Sequence, residues 1–562
     1  MHVLTVAVAV LLSGSAFSAP ATSAAELCGS VPDVFPVGDL EAGMVATAWT
    51  VVDGTEPVSF DVEIVGVIPD GIAAGIDFIL VHTSGPVIDQ TGGIAFGFSG
   101  SPVYIGDRLV GAVSYGFSAA DQTFGGVTPA EDMVRLFGYP SATGSLRDTS
   151  EGTGSAAFAR EVRVPVALRR TAARTAGTTT EAVPTVAEQL RIPLGVSGLN
   201  ARGMRRFSRT LRLAGLPVVP YRAGAAGLTD LASEPLEPGD AVGAALSVGD
   251  LSVAGIGTTT ATCEDLLLGF GHPFFFDGAS GEFPMAMYGA EVLAVIPDPS
   301  NLAGPFKLAN LTDLHGVIDQ DRLTGIRGVE GIEPVAVPIT SVVTNPDIAR
   351  IRVGDTTVFR QELGSFPVVP DIAAFHLLAS EDVVFDRIGG GSVTLRFVVE
   401  GIGPDGEPFR LVRPNMFFSD FDASFESIAE VFGFLFEIQE SGFGPVHLTR
   451  IHMNASITQE QLTAEIVRVR SASSLQPGLR ERDRLLVRPG DTIRLEVSLL
   501  PEGALEADVV ELLVPVPRAR FGGSLVVGEG SDGDCLFCFF GEQTEDDGSG
   551  SFEELLQDLR RR

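Results

Sequence analysis

Gly97-Phe98-Ser99-Gly100-Ser101-Pro102 follows Thr91-Gly92-Gly93-Ile94 and leads into the apolar run Val103-Tyr104-Ile105. It sets a serine hydroxyl in a turn flanked by glycines and closed by proline. Serine is a poor nucleophile at neutral pH, so catalysis through it requires an adjacent base and donors for an oxyanion. Glycine at 97 and 100 permits backbone angles that other residues resist, which lets amide N–H groups converge beside Ser99. Pro102 ends the turn and sets the start of a strand. Taken alone, a Gly-Ser-Gly-Ser turn is more often structural than catalytic, so its surroundings carry the weight.

Those surroundings read as β structure. Residues 60–65 alternate apolar and acidic side chains, as a half-buried strand does, and 77–81 form a more buried one. Residues 102–105 and 108–113 flank Gly106-Asp107, a two-residue hairpin turn. A turn at 125–129 and a short helix at 130–136 follow. The nucleophile turn thus sits just before a hairpin in a β domain spanning 30–140.

The whole chain has 562 residues, enough for about three or four domains of roughly 150 residues each. It is rich in Gly, Val and Pro and poor in Lys, which favours a mainly β fold. The formal charge of −34 argues against nucleic acid, which is bound through Lys and Arg, and against docking on anionic lipid. Residues 1–25 read as a secretory signal: a short apolar core over 4–12, then small residues, with Ala19 or Ala24 before the cut. A basic n-region is missing. No other apolar run is long enough to span a bilayer, so export to the periplasm, cell surface or medium is expected. Cys535 and Cys538 form a C-x-x-C pair in the acidic tail, read as a local disulfide or inert thiols. Cys28 and Cys263 are far apart, and their pairing stays open.

Residues 141–190 are rich in Ser, Thr, Gly, Ala and Arg and read as a linker with one docked strand over 162–168. Helical spacing over 200–213 carries a basic face (Arg202, Arg205, Arg206, Arg209, Arg212), either solvated or set against an acidic part of the same chain. Strands resume at 241–248 and 251–256 around Gly249-Asp250, and an apolar run from Leu266 ends in Gly271-His272-Pro273. This second β unit spans 191–360. Residues 361–528 read as a β-sandwich-like domain, with alternation at 393–397 and 493–497 and an amphipathic helix over 422–440. The acidic tail, 529–562, ends in a short helix opened by a capping box of Ser551 with Glu554.

Two segments resemble the SpoIVB-type serine peptidases, serine peptidase family 55. The serine turn departs from the G-x-S-x-G elbow of α/β-hydrolases, since Ser101 stands where that elbow needs glycine, and is closer to the G-x-S-G-x-P turn of trypsin-like peptidases. Phe60-Asp61-Val62-Glu63-Ile64, the block from Thr91 to Pro102, and Leu109-Val110-Gly111-Ala112-Val113 match three family blocks in order. Gly255-Ile256-Gly257-Thr258 with Gly269-Phe270-Gly271-His272 is similar to the blocks around the family's histidine. The resemblance implies Ser99 as nucleophile, His272 as general base, the N–H groups of Gly97 and Ser99 as oxyanion hole, and a trypsin-like double β-barrel. Here the histidine half follows the serine half, so the halves are permuted; triads occur in several chain orders. Where the family carries an aspartate, fifteen residues before the nucleophile, this chain has Ser84. Asp89 and Asp277 are the nearby acids, and the third position is unassigned.

The expected function is therefore an exported serine endopeptidase acting on protein or peptide, without metal or other cofactor. The remaining histidines lack metal-like spacing. The rival is an inactive peptidase fold used for binding, which the Ser84 departure favours. A third reading is autoprocessing of a precursor within the linker.

Overall fold

In the computed structural model, the described residues are 28, 31–117, 121–140, 161–276, 278–279, 283–298, 304–362, 366–518, 525, 527 and 550–560. The signal-like segment 1–25, the first part of the linker, Asp277, and Cys535 with Cys538 lie outside them. Alternation builds the first sheet as expected: in β2 (Val58–Ala73) Phe60, Val62 and Ile64 turn inward while Asp61 faces out. Around it stand β1 (Val45–Thr50), β3 (Ile76–Ser84), β4 (Pro102–Ile105), β5 (Arg108–Gly116) and β6 (Phe124–Pro129). They pair in the order β1-β2-β3-β6-β5-β4, and β4 returns to β1, closing a six-stranded antiparallel barrel. Ile64, Val81, Val103, Val113 and Phe98 pack in its core.

Residues 161–190 extend this sheet. β7 (Glu161–Arg163) and β8 (Val186–Gln189) pair with each other, and β8 pairs with β5. The strand expected over 162–168 stops early, because Pro165 caps the helix Val166–Thr175, a run of Ala, Leu and Arg that favours helix.

The second sheet contains β9 (Ile192–Val196), β10 (Val218–Arg222), β11 (Ala241–Gly249), β12 (Val253–Cys263), β13 (Leu266–Gly269), β14 (Gly278–Ala279), β15 (Met285–Ile296), β16 (Phe306–Arg322), β17 (Gly325–Glu330), β18 (Val337–Asn345) and β19 (Arg350–Val358). It continues through β20 (Gly391–Ile402), β21 (Pro408–Ser419) and β22 (His447–Thr458). Within it β11-β12-β13-β17-β16-β15 pair in turn, and β15 returns to β11, a second closed circuit of antiparallel strands.

The basic helix Ala201–Leu213 is capped by Asn200, whose side chain accepts from the N–H groups of Arg202 and Gly203. Its arginines do not all face solvent: Arg202 pairs with Asp382 and Asp422, and Arg206 with Asp422. Those acids lie at the ends of two helices, Val368–Phe385 and Ala423–Gln439, which pack on the outer part of the second sheet. The strands expected beyond 361 form, but the layer facing β20 and β22 is helical, so this region is not the sandwich that alternation predicts. Residues 368–385 are apolar on nearly every side and lack a two-residue period. β23 (Ala464–Ala472), β24 (Thr492–Pro501) and β25 (Asp508–Pro515) make a separate three-stranded sheet. The terminal helix Phe552–Leu559 is capped by Ser551, which accepts from Glu554 N–H, and buries Leu555, Leu556 and Leu559 against the second sheet's core.

A disulfide joins Cys28, ahead of β1, to Cys263 at the end of β12, a separation of 235 residues. It lies among Ala112, Met133, Leu136, Phe137 and Leu268, where the two sheets meet. Cross-linking so distant a pair removes much freedom from the unfolded chain. Replacing both cysteines by serine is expected to cost about 2–5 kcal/mol. Thermal or urea unfolding would show this loss in the variant and, after reduction, in the parent.

Candidate active site

The serine turn lies between the barrel and the second circuit, gripped by both. From its own barrel, Gly100 N–H donates to Val113 O at 2.8 Å, and Val113 N–H donates to Ser101 O at 3.0 Å. From β12, Thr258 N–H donates to Ser99 O at 2.8 Å, Thr258 Oγ1 to Gly97 O at 2.9 Å, and Thr260 Oγ1 to Gly100 O at 2.7 Å. Gly97 and Gly100 both have positive φ. A side chain at 100 would meet Thr258 O at 1.8 Å, so only glycine lets β12 come this close. The N–H groups of Gly97 and Ser99 meet no acceptor among the described residues.

His272 comes from the end of the hairpin that β12 begins. β13 ends at Gly269, and Phe270 adopts a positive φ of 66°, unusual for a residue other than glycine. Asp321 on β16 then accepts N–H groups from Phe274, Phe275 and Phe276 at 2.6–2.8 Å, anchoring the loop beyond the histidine. The result sets His272 Nε2 2.8 Å from Ser99 Oγ, joining residues 173 apart in sequence. Both are buried: Ser99 is 1% exposed and His272 0%.

Behind the imidazole there is no carboxylate among the described residues. Nδ1 faces the Gln189 amide nitrogen at 2.8 Å and Pro273 O at 2.8 Å. Ser84 lies exposed at the end of β3 opposite Asp61, and Asp89 is exposed on the helix Pro86–Thr91. Neither reaches His272 in any described contact. Gln189 has no signature in the sequence, standing alone in a stretch that reads as linker. Asp321 and Lys307 are likewise visible only in space.

Lys307 is fully buried beneath the turn. Its Nζ donates to Thr50 Oγ1 at 2.8 Å and Thr258 Oγ1 at 3.0 Å, and its stem lies against Gly97. Burial without a described carboxylate partner pushes its pKa down to about 7. Burial also lowers His272 to about 4, the carbonyl of Pro273 opposing the shift, so the ring is neutral at physiological pH.

Contact distance alone does not mark a catalytic pair. His376 Nε2 also lies 2.8 Å from a serine, Ser341 Oγ, with Nδ1 2.8 Å from Thr356 Oγ1. Ser341 is mid-strand in β18, paired on both sides, with no glycine turn around it. That pair ties the helix Val368–Phe385 to the sheet. Ser99 differs in its turn and in the two N–H groups beside it.

Among the described residues no cluster of His, Cys, Asp and Glu is placed to hold a metal ion. No described helix is long and apolar enough to cross a membrane. Comparison with known families matches residues 33–134 to SpoIVB peptidase S55, a segment that includes Ser99 and ends before His272. No curated protein and no solved structure matches the chain.

Two measurements follow from the burial. The His272 ring is expected to titrate near pH 4 in histidine-labelled NMR spectra, and a midpoint at 6.5 would show an open, wet site. For Lys307, the unfolded chain keeps its proton up to about pH 10.5 while the folded chain releases it near 7. Its contribution to stability therefore rises with pH across that window, by up to about 1.4 kcal/mol per unit. Urea titrations at pH 7.5 and 9.5 should show this rise in the parent and a flatter response in Lys307→Met.

Proposed function

We propose that the chain, whose residues 33–134 match the SpoIVB peptidase S55 family, is an exported serine endopeptidase, with Ser99 as nucleophile and His272 as its base. The observation that carries the reading is the 2.8 Å approach of His272 Nε2 to Ser99 Oγ across the two strand systems. In the reaction, His272 takes the proton of Ser99 Oγ as that oxygen bonds to the substrate's carbonyl carbon. The N–H groups of Gly97 and Ser99 stabilise the oxyanion. The imidazolium returns its proton to the departing amine, leaving an acyl ester, which water cleaves by the same steps. The closed barrel and the second circuit would be the two halves of a trypsin-like arrangement in permuted order. The buried Cys28–Cys263 disulfide supports export, since such bonds persist in oxidising compartments.

A second reading has an observation in its favour. Ser99 is nearly inaccessible and His272 lacks a described carboxylate, as suits a binding module derived from a peptidase. A fluorophosphonate probe separates the two. The enzyme reading expects covalent labelling at Ser99 that is lost in Ser99→Ala and falls at least about a hundredfold in His272→Ala. Cleavage of a casein reporter should be lost in parallel. Undiminished cleavage by purified Ser99→Ala would overturn the mechanism.

A further inference from the structure

The edge of β5 beside Ser99 is filled by the chain itself. β4 pairs along 108–112, and the serine turn follows, with Gly100 and Ser101 bonded to Val113. The register of β5 against β6 then shifts between Val113 and Tyr115, a bulge that re-aims the strand. Directly beyond it, Leu190 N–H donates to Ser114 O at 3.0 Å, and β8 pairs Gln189 with Tyr115 and Glu188 with Gly116. β8 thus continues in line with the serine turn along one edge. An extended peptide reaching a nucleophile in such a setting adds a strand to the neighbouring edge. Here that position is taken, and Ser99 and His272 are covered.

Gln189 does more than occupy space. Its amide nitrogen carries two hydrogens and lies 2.8 Å from His272 Nδ1 and 3.0 Å from Pro273 O. Both contacts are hydrogen bonds only if Nδ1 accepts. Each orientation of the amide sets two acceptors close together, Nδ1 against Pro273 O at 2.8 Å in this one and the amide oxygen against Pro273 O in the other, but only this one lets the amide nitrogen donate to both groups. Gln189 Oε1 is left buried without a partner among the described residues, a tension that favours release. With Nδ1 accepting, the proton of the neutral ring sits on Nε2 and points at Ser99 Oγ. In that tautomer the imidazole donates to the serine and cannot take its proton. The productive tautomer needs Nδ1–H, for which Pro273 O waits at 2.8 Å.

We propose that residues 186–190 are an internal latch: Gln189 holds His272 in the unproductive tautomer, while the strand fills the edge a substrate needs. The latch opens when an extended peptide displaces it. The displacing substrate carries an apolar side chain at the position of Leu190, which is buried in the core of the barrel. This rests on the serine peptidase reading for its consequence, though not for the tautomer itself. Gln189 is a positioning residue, acting through His272.

The test uses the full chain, with Gln189→Ala and Gln189→Glu. The first removes the donor; the second offers a carboxylate that accepts from Nδ1–H. Nitrogen-15 NMR of the His272 ring is expected to show Nε2 protonated in the parent and Nδ1 protonated in both variants. Fluorophosphonate labelling of Ser99 should rise at least about tenfold in both, and further in Gln189→Glu, an order that mere loosening of a strand would not give. Leu190→Ala, which keeps the amide but weakens the strand's hold, should raise labelling only in step with the fraction of His272 that becomes protonated on Nδ1. Nδ1 protonated in the parent, or folded variants labelled no faster than a labelled parent, would overturn the latch. If no form is labelled, the peptidase reading fails, and the tautomer result alone decides whether Gln189 holds the ring.

Discussion

The contact on which the arrangement depends is the grip of β12 on the serine turn. Three hydrogen bonds from Thr258 and Thr260 reach three successive parts of that turn, at Gly97, Ser99 and Gly100. Each is worth about 1 kcal/mol net, yet any buried partner left unpaired would cost more. β12 also begins the hairpin whose second strand leads to His272. One hairpin therefore holds the serine with its first strand and presents the imidazole beyond its second. The short serine–histidine contact follows from that shared origin, whichever half comes first in the chain. The grip is made between strands and is indifferent to how they are connected.

Polar groups buried at this junction reinforce the same geometry. Lys307 supports the hydroxyl of Thr258, which in turn holds Gly97 O. Asp321 gathers three successive N–H groups after Pro273, so the loop cannot swing the imidazole away without stranding a carboxylate. The left-handed backbone at Phe270 is tolerated because neighbours on both sides are fixed. Such a site is rigid on the side of β12 and β16. On its other side stands β8, which pairs with the end of β5 and reaches the imidazole through Gln189.

What the sequence discloses follows from how local each signal is. Ser99 is legible because glycines, proline and flanking alternation lie within a dozen residues, and the hairpin at Gly106-Asp107 appears where expected. His272 is legible only through the blocks around it. Gln189 and Lys307 leave no trace, since a single amide or amine gains meaning from what stands opposite, and their partners are remote in sequence. The pairing of Cys28 with Cys263 is hidden for the same reason. The helix Val368–Phe385 escapes because it is buried nearly all round, which erases the period that marks an amphipathic helix. The arginine face of Ala201–Leu213 is visible, but its acidic partners on two later helices are not.

That no carboxylate among the described residues stands behind His272 bears on rate. When an imidazole takes up a proton in a dry site, an adjacent carboxylate offsets the new charge, and without it the loss in familiar triads is about 10⁴-fold. Pro273 O can orient the ring and accept from Nδ1–H, but a neutral carbonyl is a weaker partner for a cation than a carboxylate. The same burial that lowers the pKa of His272 makes it a weak base until water or a charged group arrives. A site built this way discriminates by access. Under the proposed mechanism, cleavage would require that a strand be exchanged at the edge of β5, that the ring change tautomer, and that the pocket admit enough solvent to carry a transient charge. Gln189 would couple those steps, since it touches the imidazole and belongs to the strand paired with the end of β5. Such constraints, if the chain acts as proposed, would favour selective cleavage of a segment that can compete for an edge over general digestion.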